Sequence, residues 1–344
     1  MRKKLFVHVV ELEGTNYEIG RLQAEHIEFG HRFDELQATS SKTDAEEIYT
    51  LLKRDFSSFL EELQGLAAGL ELDFYTILRM YSGYNLSLPS MGCTAFSQGS
   101  YYVRNYDFTP ELYDGRLVFH KPEKGYASIG FSQQMVGRLD GMNEHGLVVG
   151  LHLVNERHTG IGFIATTIVR LVLEHCKNVI EAADFITKLP HGYCYNYSLT
   201  DRSGKNCLIE ATPNEQLVQY PSDLMCTNHF NTEQLTGKNR SYIASSLHRQ
   251  HILQGFKAEP LSPEEAFRRF NNEDSPLFYK DYHHFFGTLH TVVYMPKKLE
   301  VIVGIGGNAK PTRFSLAKWL SGRLNVGKTL LGEIDYQQNH ASHD

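Results

Sequence analysis

The sequence predicts an α+β fold in which two β-sheets pack face to face between helical layers. Three observations lead there. Residues before about 92 carry apolar positions at helical spacing. From Cys93 onward, short strand signals replace that pattern. Two helices then interrupt the strands before strands return. With 344 residues, 41% hydrophobic and 22% charged, the chain has the composition of a globular protein that can bury a large core. Its formal charge of −6 offers no basic face for nucleic acid, which excludes that class of partner. No run approaches the ~18 apolar residues of a membrane span.

Met1-Arg2-Lys3-Lys4 followed by an apolar run begins like a secretion signal, but His8 interrupts the run and Glu11 ends it. The segment reads instead as a buried first strand, with a cytoplasmic location expected. Asn16 is placed as the cap of a helix reaching Glu28. Between Asp44 and Ala67, residues Ile48, Leu51, Leu52, Phe56, Phe59, Leu60, Leu63 and Leu66 share one helical face. A shorter helix is expected over Phe74 to Tyr84. No Pro/Ser-rich linker follows, so residues 1–92 are expected to be a mostly helical segment integral to the fold, with the core spanning 93–344.

Ala95 to Ser97 and Tyr101 to Val103 flank Gln98-Gly99-Ser100, a hairpin signal. Strands are expected at Arg116 to His120, Tyr126 to Phe131, Val136 to Asp140 and Leu147 to Val154. Helices follow at Ala165 to Cys176 and Val179 to Leu189, the second capped by Asn178. Strands return at Tyr195 to Thr200, Asn206 to Glu210, Gln216 to Tyr220, Leu289 to Met295 and Val301 to Ile305. The five cysteines, Cys93, Cys176, Cys194, Cys207 and Cys226, are odd in number and widely spaced, as in reduced thiols.

Gly92-Cys93-Thr94 lies where helical spacing gives way to strands. A cysteine attacks as thiolate, yet a free thiol has a pKa of about 8.5. An N-terminal cysteine can use its own α-amine as base, because that amine titrates at about 7.7–8.0. An internal Cys93 has only an amide nitrogen, so this chemistry requires cleavage after Gly92. The new terminus would then need a carboxylate for the amine and a cation for the thiolate. Arg104 and Asp107 lie on the strand expected beside that of Cys93.

Gly92-Cys93-Thr94, Arg104-Asn105-Tyr106-Asp107-Phe108, Gly141-Met142-Asn143-Glu144-His145-Gly146-Leu147 and Asn196-Tyr197-Ser198-Leu199-Thr200-Asp201-Arg202-Ser203-Gly204 occur in that order. Together they resemble the cysteine-type N-terminal-nucleophile hydrolases: choloylglycine hydrolases, penicillin V acylases and the acyl-CoA:6-aminopenicillanic acid acyltransferase group. Glu13-Gly14-Thr15-Asn16-Tyr17-Glu18-Ile19-Gly20 and Gly287-Thr288-Leu289-His290-Thr291-Val292-Val293-Tyr294 are similar to the two ends of the acyltransferase branch. The long segment before Cys93 also favours that branch.

The resemblance implies a four-layer αββα sandwich with a helical pro-segment, cut between Gly92 and Cys93. It implies Cys93 as nucleophile, Asp107 holding the amine, Arg104 supporting the thiolate and Asn196 in the oxyanion site. Arg240, in Asn239-Arg240-Ser241-Tyr242, resembles a later arginine of the family's site. Where bile-salt hydrolases carry an asparagine after the Gly-Met-Asn-Glu motif, this chain has His152 or Leu153. Thr94 and His152 are therefore candidates for oxyanion or substrate contacts, and Tyr101, Tyr102 and Tyr106 for an acyl pocket.

Blander readings stand beside these. Cys93 by itself fits an inert buried thiol. Arg104 with Asp107 fits a cross-strand ion pair. Asn143 reads as a turn residue, and Asn196 fits equally a side chain satisfied by backbone. His283, His284 and His290 show no metal-ligand spacing, and Gly304-Ile305-Gly306-Gly307 lacks a nucleotide-loop pattern.

The expected function is an autoproteolytic amide hydrolase or acyltransferase acting on small-molecule N-acyl amides through a Cys93 thioester. It needs no metal or organic cofactor. An acyl thioester is a candidate cosubstrate, and a homo-oligomer is compatible with the sequence. The alternatives are an uncut thiol hydrolase in which His152 or His290 activates Cys93, and a non-catalytic binder of small molecules or peptides on the same fold.

Overall fold

Alternation of apolar and polar residues brings the strands into two sheets. A computed structural model describes residues 2–336, apart from 41, 42, 88, 259, 325, 326 and 328. Among the described residues the larger sheet has ten strands. Its order is Gln216–Gln219, Asn206–Ala211, Cys194–Thr200, Val148–Asn155, Asp140–Asn143, Ser128–Gln133, Arg116–Pro122, Arg2–Gly14 and Thr329–Asp335, with Gly137–Arg138 beside Ser128–Gln133. The smaller, seven-stranded sheet runs Leu224–Cys226, Gly92–Ser97, Tyr102–Phe108, Phe286–Met295, Glu300–Ile305 and Thr312–Ser315, with Lys280–Asp281 beside Phe286–Met295.

Helices Asn16–Ala24, Ala165–His175 and Val179–Lys188 lie against the larger sheet, with Ser57–Leu70 packed on Asn16–Ala24, while Ala244–Phe256 and Pro263–Asn271 lie against the smaller one. The architecture is thus the expected αββα sandwich. Its inner strands are buried on both faces: all residues of Gly92–Ser97, Tyr102–Phe108 and Val148–Asn155 are inaccessible to solvent. Polar side chains on such strands must find partners inside the protein, and this is where the chemistry collects.

Residues before Gly92 are woven into the body. Strand Arg2–Gly14 runs parallel to Arg116–Pro122 and antiparallel to Thr329–Asp335 inside the larger sheet. The N-terminal helix is capped by Thr15 rather than Asn16, because Thr15 and Glu18 form a capping box, and the helix ends at Ala24, short of Glu28. The apolar face expected over Asp44 to Ala67 belongs to two helices, Ala45–Asp55 and Ser57–Leu70. They are separated at Phe56, whose φ of −140° and ψ of 53° leave the helical region. The expected strand Val136 to Asp140 is instead split between Gly137–Arg138 and the start of Asp140–Asn143. Helices His31–Ser40, Ala244–Phe256 and Pro263–Asn271 carry no expectation from the sequence. Asn178 caps Val179–Lys188 as expected. All five cysteines are buried and unbridged.

Candidate active site

Cys93 sits near the start of strand Gly92–Ser97, paired antiparallel with Tyr102–Phe108 so that Gly92 faces Asp107, Cys93 faces Tyr106 and Ala95 faces Arg104. Opposed residues share a face, and successive residues alternate. Cys93, Arg104 and Tyr106 therefore project toward the larger sheet, and Thr94, Asn105 and Asp107 toward the helices on the outer side. The backbone of Cys93 lies between a thiol-facing and a carboxylate-facing layer.

On the thiol side, Arg104 Nη2 donates to Cys93 Sγ at 2.9 Å and to the Leu151 carbonyl at 2.8 Å, while Nη1 donates to Asp140 Oδ2 at 2.6 Å. The Arg104 guanidinium also lies 5.5 Å from the Tyr106 ring. Burial pushes the Cys93 thiol up to about 12, with Arg104 pulling the other way. Burial thus favours the thiol form of Cys93, with the Arg104 cation against its sulfur.

On the carboxylate side, Asp107 Oδ1 accepts from Thr288 Oγ1 at 2.6 Å. Among the described residues no hydrogen-bond donor reaches its buried Oδ2, and Arg249 Nη1 lies 3.6 Å away. Burial raises the Asp107 pKa above the ordinary carboxylate value, against the pull of Arg249 and Thr288. Gly92 is tied to the same place. A Cβ there would stand 3.0 Å from Asp107 Cβ, 3.1 Å from Asp107 Oδ2 and 2.9 Å from Phe286 Cδ1, so any larger residue would push the carboxylate away.

Two residues that the sequence reading passed over complete the first contacts of Cys93. Asn228 Oδ1 accepts the Cys93 backbone N–H at 2.8 Å, and its Nδ2 donates to the Leu153 carbonyl at 2.9 Å. Arg249 Nη1 donates to the Cys93 carbonyl and to Thr94 Oγ1, each at 2.7 Å, and its Nη2 to Asn228 Oδ1 at 3.0 Å. The available signals were faint: a Thr-Asn pair just after the short apolar strand Leu224–Cys226, and the single arginine of helix Ala244–Phe256.

The remaining candidates fall in different places. Asn196 pairs across the larger sheet with His152. Its amide nitrogen donates to the Thr227 and His229 carbonyls at 3.2 and 2.8 Å, so Asn196 braces the segment carrying Asn228 and has its donors engaged there. His152 Nε2 bonds Ser198 Oγ at 2.8 Å, and the ring also meets the Cys93 backbone. Burial, then Arg104, drives its pKa well below the ordinary histidine value, against a hydrogen bond with the Cys93 backbone. His290 bonds Tyr113 through Nδ1 at 2.8 Å and stacks on Phe131 at 3.7 Å.

Arg240 reaches Glu156 through Nε at 2.8 Å, and Glu156 in turn accepts from Ser90 just before the Gly92–Cys93 bond. Arg240 thus belongs to the side of the preceding segment. Tyr106 flanks Cys93, whereas Tyr101 packs with Phe96 and Leu253 under the outer helices. Asn143 is structural: its amide nitrogen serves the Leu173 and Cys176 carbonyls, and its oxygen serves the His145 and Leu147 amides.

Two inner sheets between helices, with a buried cysteine near the start of an inner strand and an arginine on its sulfur, are the architecture of the N-terminal-nucleophile hydrolases. The family model described as acyl-coenzyme A:6-aminopenicillanic acid acyl-transferase matches residues 95–310, and the chain belongs to that family.

Among solved structures, it is similar to a mutant of conjugated bile acid hydrolase from Clostridium perfringens (12% identity, TM-score 0.42, covering 73% of this chain and 100% of that one). It is also similar to penicillin V acylase from Agrobacterium tumefaciens (15%, 0.37, 67% and 81%). A third is the N-acylethanolamine-hydrolyzing acid amidase ortholog of Caenorhabditis elegans (15%, 0.41, 60% and 93%). No curated protein matches the sequence. Among the described residues no helix is long and apolar enough to cross a membrane.

Proposed function

We propose that this protein is a self-processing cysteine amidase or acyltransferase that becomes active when the Gly92–Cys93 bond is cut. The observation that carries this reading is the Asp107 oxygen buried without a donor beside Gly92. A peptide nitrogen at Cys93 has one hydrogen, which Asn228 Oδ1 takes. Cleavage turns that nitrogen into an amine with two, and taking up the thiol proton makes it an ammonium with three. The unpartnered Asp107 Oδ2 is then an acceptor for a second, and the third is free for proton transfer. A buried acceptor left without a donor is costly, and such a cost is tolerated where function uses the group.

Processing would begin with Cys93 Sγ attacking the Gly92 carbonyl carbon, forming a thioester while the C–N bond breaks and the nitrogen takes a proton. Water then hydrolyses the thioester, leaving a Gly92 carboxylate and a free Cys93 α-amine. In the mature enzyme that amine takes the thiol proton, and Arg104, already at 2.9 Å, stabilises the thiolate. The thiolate attacks the carbonyl of an N-acyl amide, the leaving amine collects the proton from the α-ammonium, and an acyl thioester forms at Cys93. Water then yields the acid, or a second amine yields a new amide. The family to which the chain belongs supports acyl transfer, with an acyl thioester as a donor that could load Cys93 directly. Small-molecule N-acyl amides are the proposed substrates.

Against the uncut thiol–histidine alternative, the partner on the sulfur is an arginine, while His152 and His290 are hydrogen-bonded to Ser198 and Tyr113. Intact mass of the purified protein tests the reading. Two pieces, one ending at Gly92 and one starting at Cys93, are expected. A single uncut chain that turns over N-acyl amides at full rate would overturn self-processing. Released amine, measured across N-acyl substrates of graded acyl length, then defines the acyl group.

A further inference from the structure

Arg104 is anchored from both sheets. Its backbone belongs to Tyr102–Phe108 of the smaller sheet, but its guanidinium crosses to the larger one, where Asp140 and the Leu151 carbonyl receive it. Asp140 opens the strand Asp140–Asn143 and pairs with Gly150 on the neighbouring strand. A Cβ on Gly150 would stand 2.3 Å from Tyr102 Oη, 3.1 Å from Arg104 Cδ and 3.2 Å from Arg104 Nε, so the missing side chain leaves the slot in which Arg104 lies. At the end of that slot, Asp140 accepts Arg104 Nη1 through Oδ2 and the Tyr294 hydroxyl, at 2.5 Å, through Oδ1. Both charged side chains are fully buried. His290 Nε2 is 3.9 Å from the same carboxylate.

A guanidinium is a rigid planar fork, so fixing one nitrogen fixes the direction of the other. We propose that Asp140 is a positioning residue for the nucleophile: by holding Nη1 it aims Arg104 Nη2 at the Cys93 sulfur. The proposal rests on Cys93 being the nucleophile described above. Asp140's own charge works against a thiolate at Cys93, while Arg104 favours one. Its contribution is therefore aim rather than field, and the two can be separated.

Asp140→Asn keeps an oxygen for Arg104 and removes the opposing charge. Ionisation of Cys93 is read as the thiolate ultraviolet absorbance of each protein minus that of its Cys93→Ala counterpart, against pH. The expected result for Asp140→Asn is a profile moved to lower pH, with amide turnover within about tenfold of wild type. Asp140→Ala, which releases Nη1, is expected to lose about 100-fold in kcat with KM nearly unchanged. Tyr294→Phe, which leaves the carboxylate one donor short, is expected to lose about fivefold.

The proposal is overturned if the Asp140→Asn profile stays in place or moves to higher pH, or if Asp140→Asn is as slow as Asp140→Ala. It is also overturned if Asp140→Ala turns over at the wild-type rate; if that variant does not fold, Tyr294→Phe and the Asp140→Asn profile decide. The absorbance readout needs neither cleavage nor turnover. A wild-type chain that stays uncut and inactive while the Asp140→Asn profile moves to lower pH would therefore sink the proposed function, and the positioning role with it, and leave only the coupling of Asp140 to Cys93 ionisation.

Discussion

Arg170 and Arg104 are both fully buried arginines that grip carboxylates, and their surroundings differ in one respect. Arg170 donates to Glu62 through both terminal nitrogens and to Glu174 Oε1 through Nε at 2.9 Å, with His120 ring nitrogens 3.6 Å from Glu174 and 3.8 Å from Glu62. The ligand atoms of Glu62, His120 and Glu174 lie within 4.8 Å of one another, as in many metal sites, but here a guanidinium lies against both carboxylates. Burial would raise Glu62, yet Arg170 and His120 hold it well below the ordinary carboxylate range.

Around Arg104 one carboxylate, Asp140, is satisfied in the same way and is likewise held low by Arg104 despite burial. Asp107 is not. It has no cation in hydrogen-bond contact and is shifted upward. A buried carboxylate completed by the protein's own cation ties elements together; here helix Ser57–Leu70, before Gly92, is joined to Ala165–His175 and strand Arg116–Pro122. A buried carboxylate left short stores a cost that only a new cation relieves. In the proposed function that cation is the Cys93 ammonium.

The strongest way to break this comparison is to remove the group whose amine Asp107 would receive. Cys93→Ala is expected to remain one chain by intact mass and to lose amide turnover on the order of 10⁶-fold, as for other nucleophile removals. Asp107→Asn is expected to slow turnover by about 10³-fold, since the amine that serves as base loses its orienting charge.

In the uncut Cys93→Ala background, the two carboxylates should act oppositely on stability. Glu62→Ala takes away the carboxylate held by both terminal nitrogens of buried Arg170 and should cost about 3–5 kcal/mol in urea unfolding. Asp107→Asn should leave Tm unchanged or raised, and a drop of comparable size would show that Asp107 is structural.

The same contrast has a pH sign. Glu62 has a folded pKa below its unfolded value near 4.5, so its stabilisation is complete above that pH and is lost as pH falls through the folded value. Asp107, raised in the fold, contributes the opposite slope. Wild-type Tm should therefore fall on acidification below about pH 4.5, and Glu62→Gln should flatten that fall.

The smallest effect concerns Gly92. An alanine there crowds Asp107 and Phe286 and should slow self-cleavage by about tenfold, followed as loss of the uncut band.

Much of the thiol side was legible because it is local. Cys93, Arg104 and Asp107 fall on two strands joined by the turn at Gln98-Gly99-Ser100, and a period of two places Cys93 and Arg104 on one face. Helix Val179–Lys188 could be read from Asn178 for the same reason. Asn228 and Arg249 could not. They lie 135 and 156 residues beyond Cys93, and their contact depends on the short edge strand Leu224–Cys226 pairing with Gly92–Ser97. Asn196 and Arg240 show the converse. Motif likeness put them in the site, while sheet register and an ion pair give them partners in the segment around Asn228 and at Glu156.

From its residues alone, then, the chain determined its layered class, the Asn178 cap, the hairpin, and the placing of Cys93 on a strand paired with that of Arg104 and Asp107. Those follow from periodicity and from the chemistry a thiol requires. Only the tertiary structure decided which asparagine meets the Cys93 nitrogen, that Asp140 receives Arg104 across the sheets, and that Asp107 keeps one oxygen without a donor. Each of these depends on long-range strand register and burial, because a buried polar atom's partners are set by whichever distant segment closes over it.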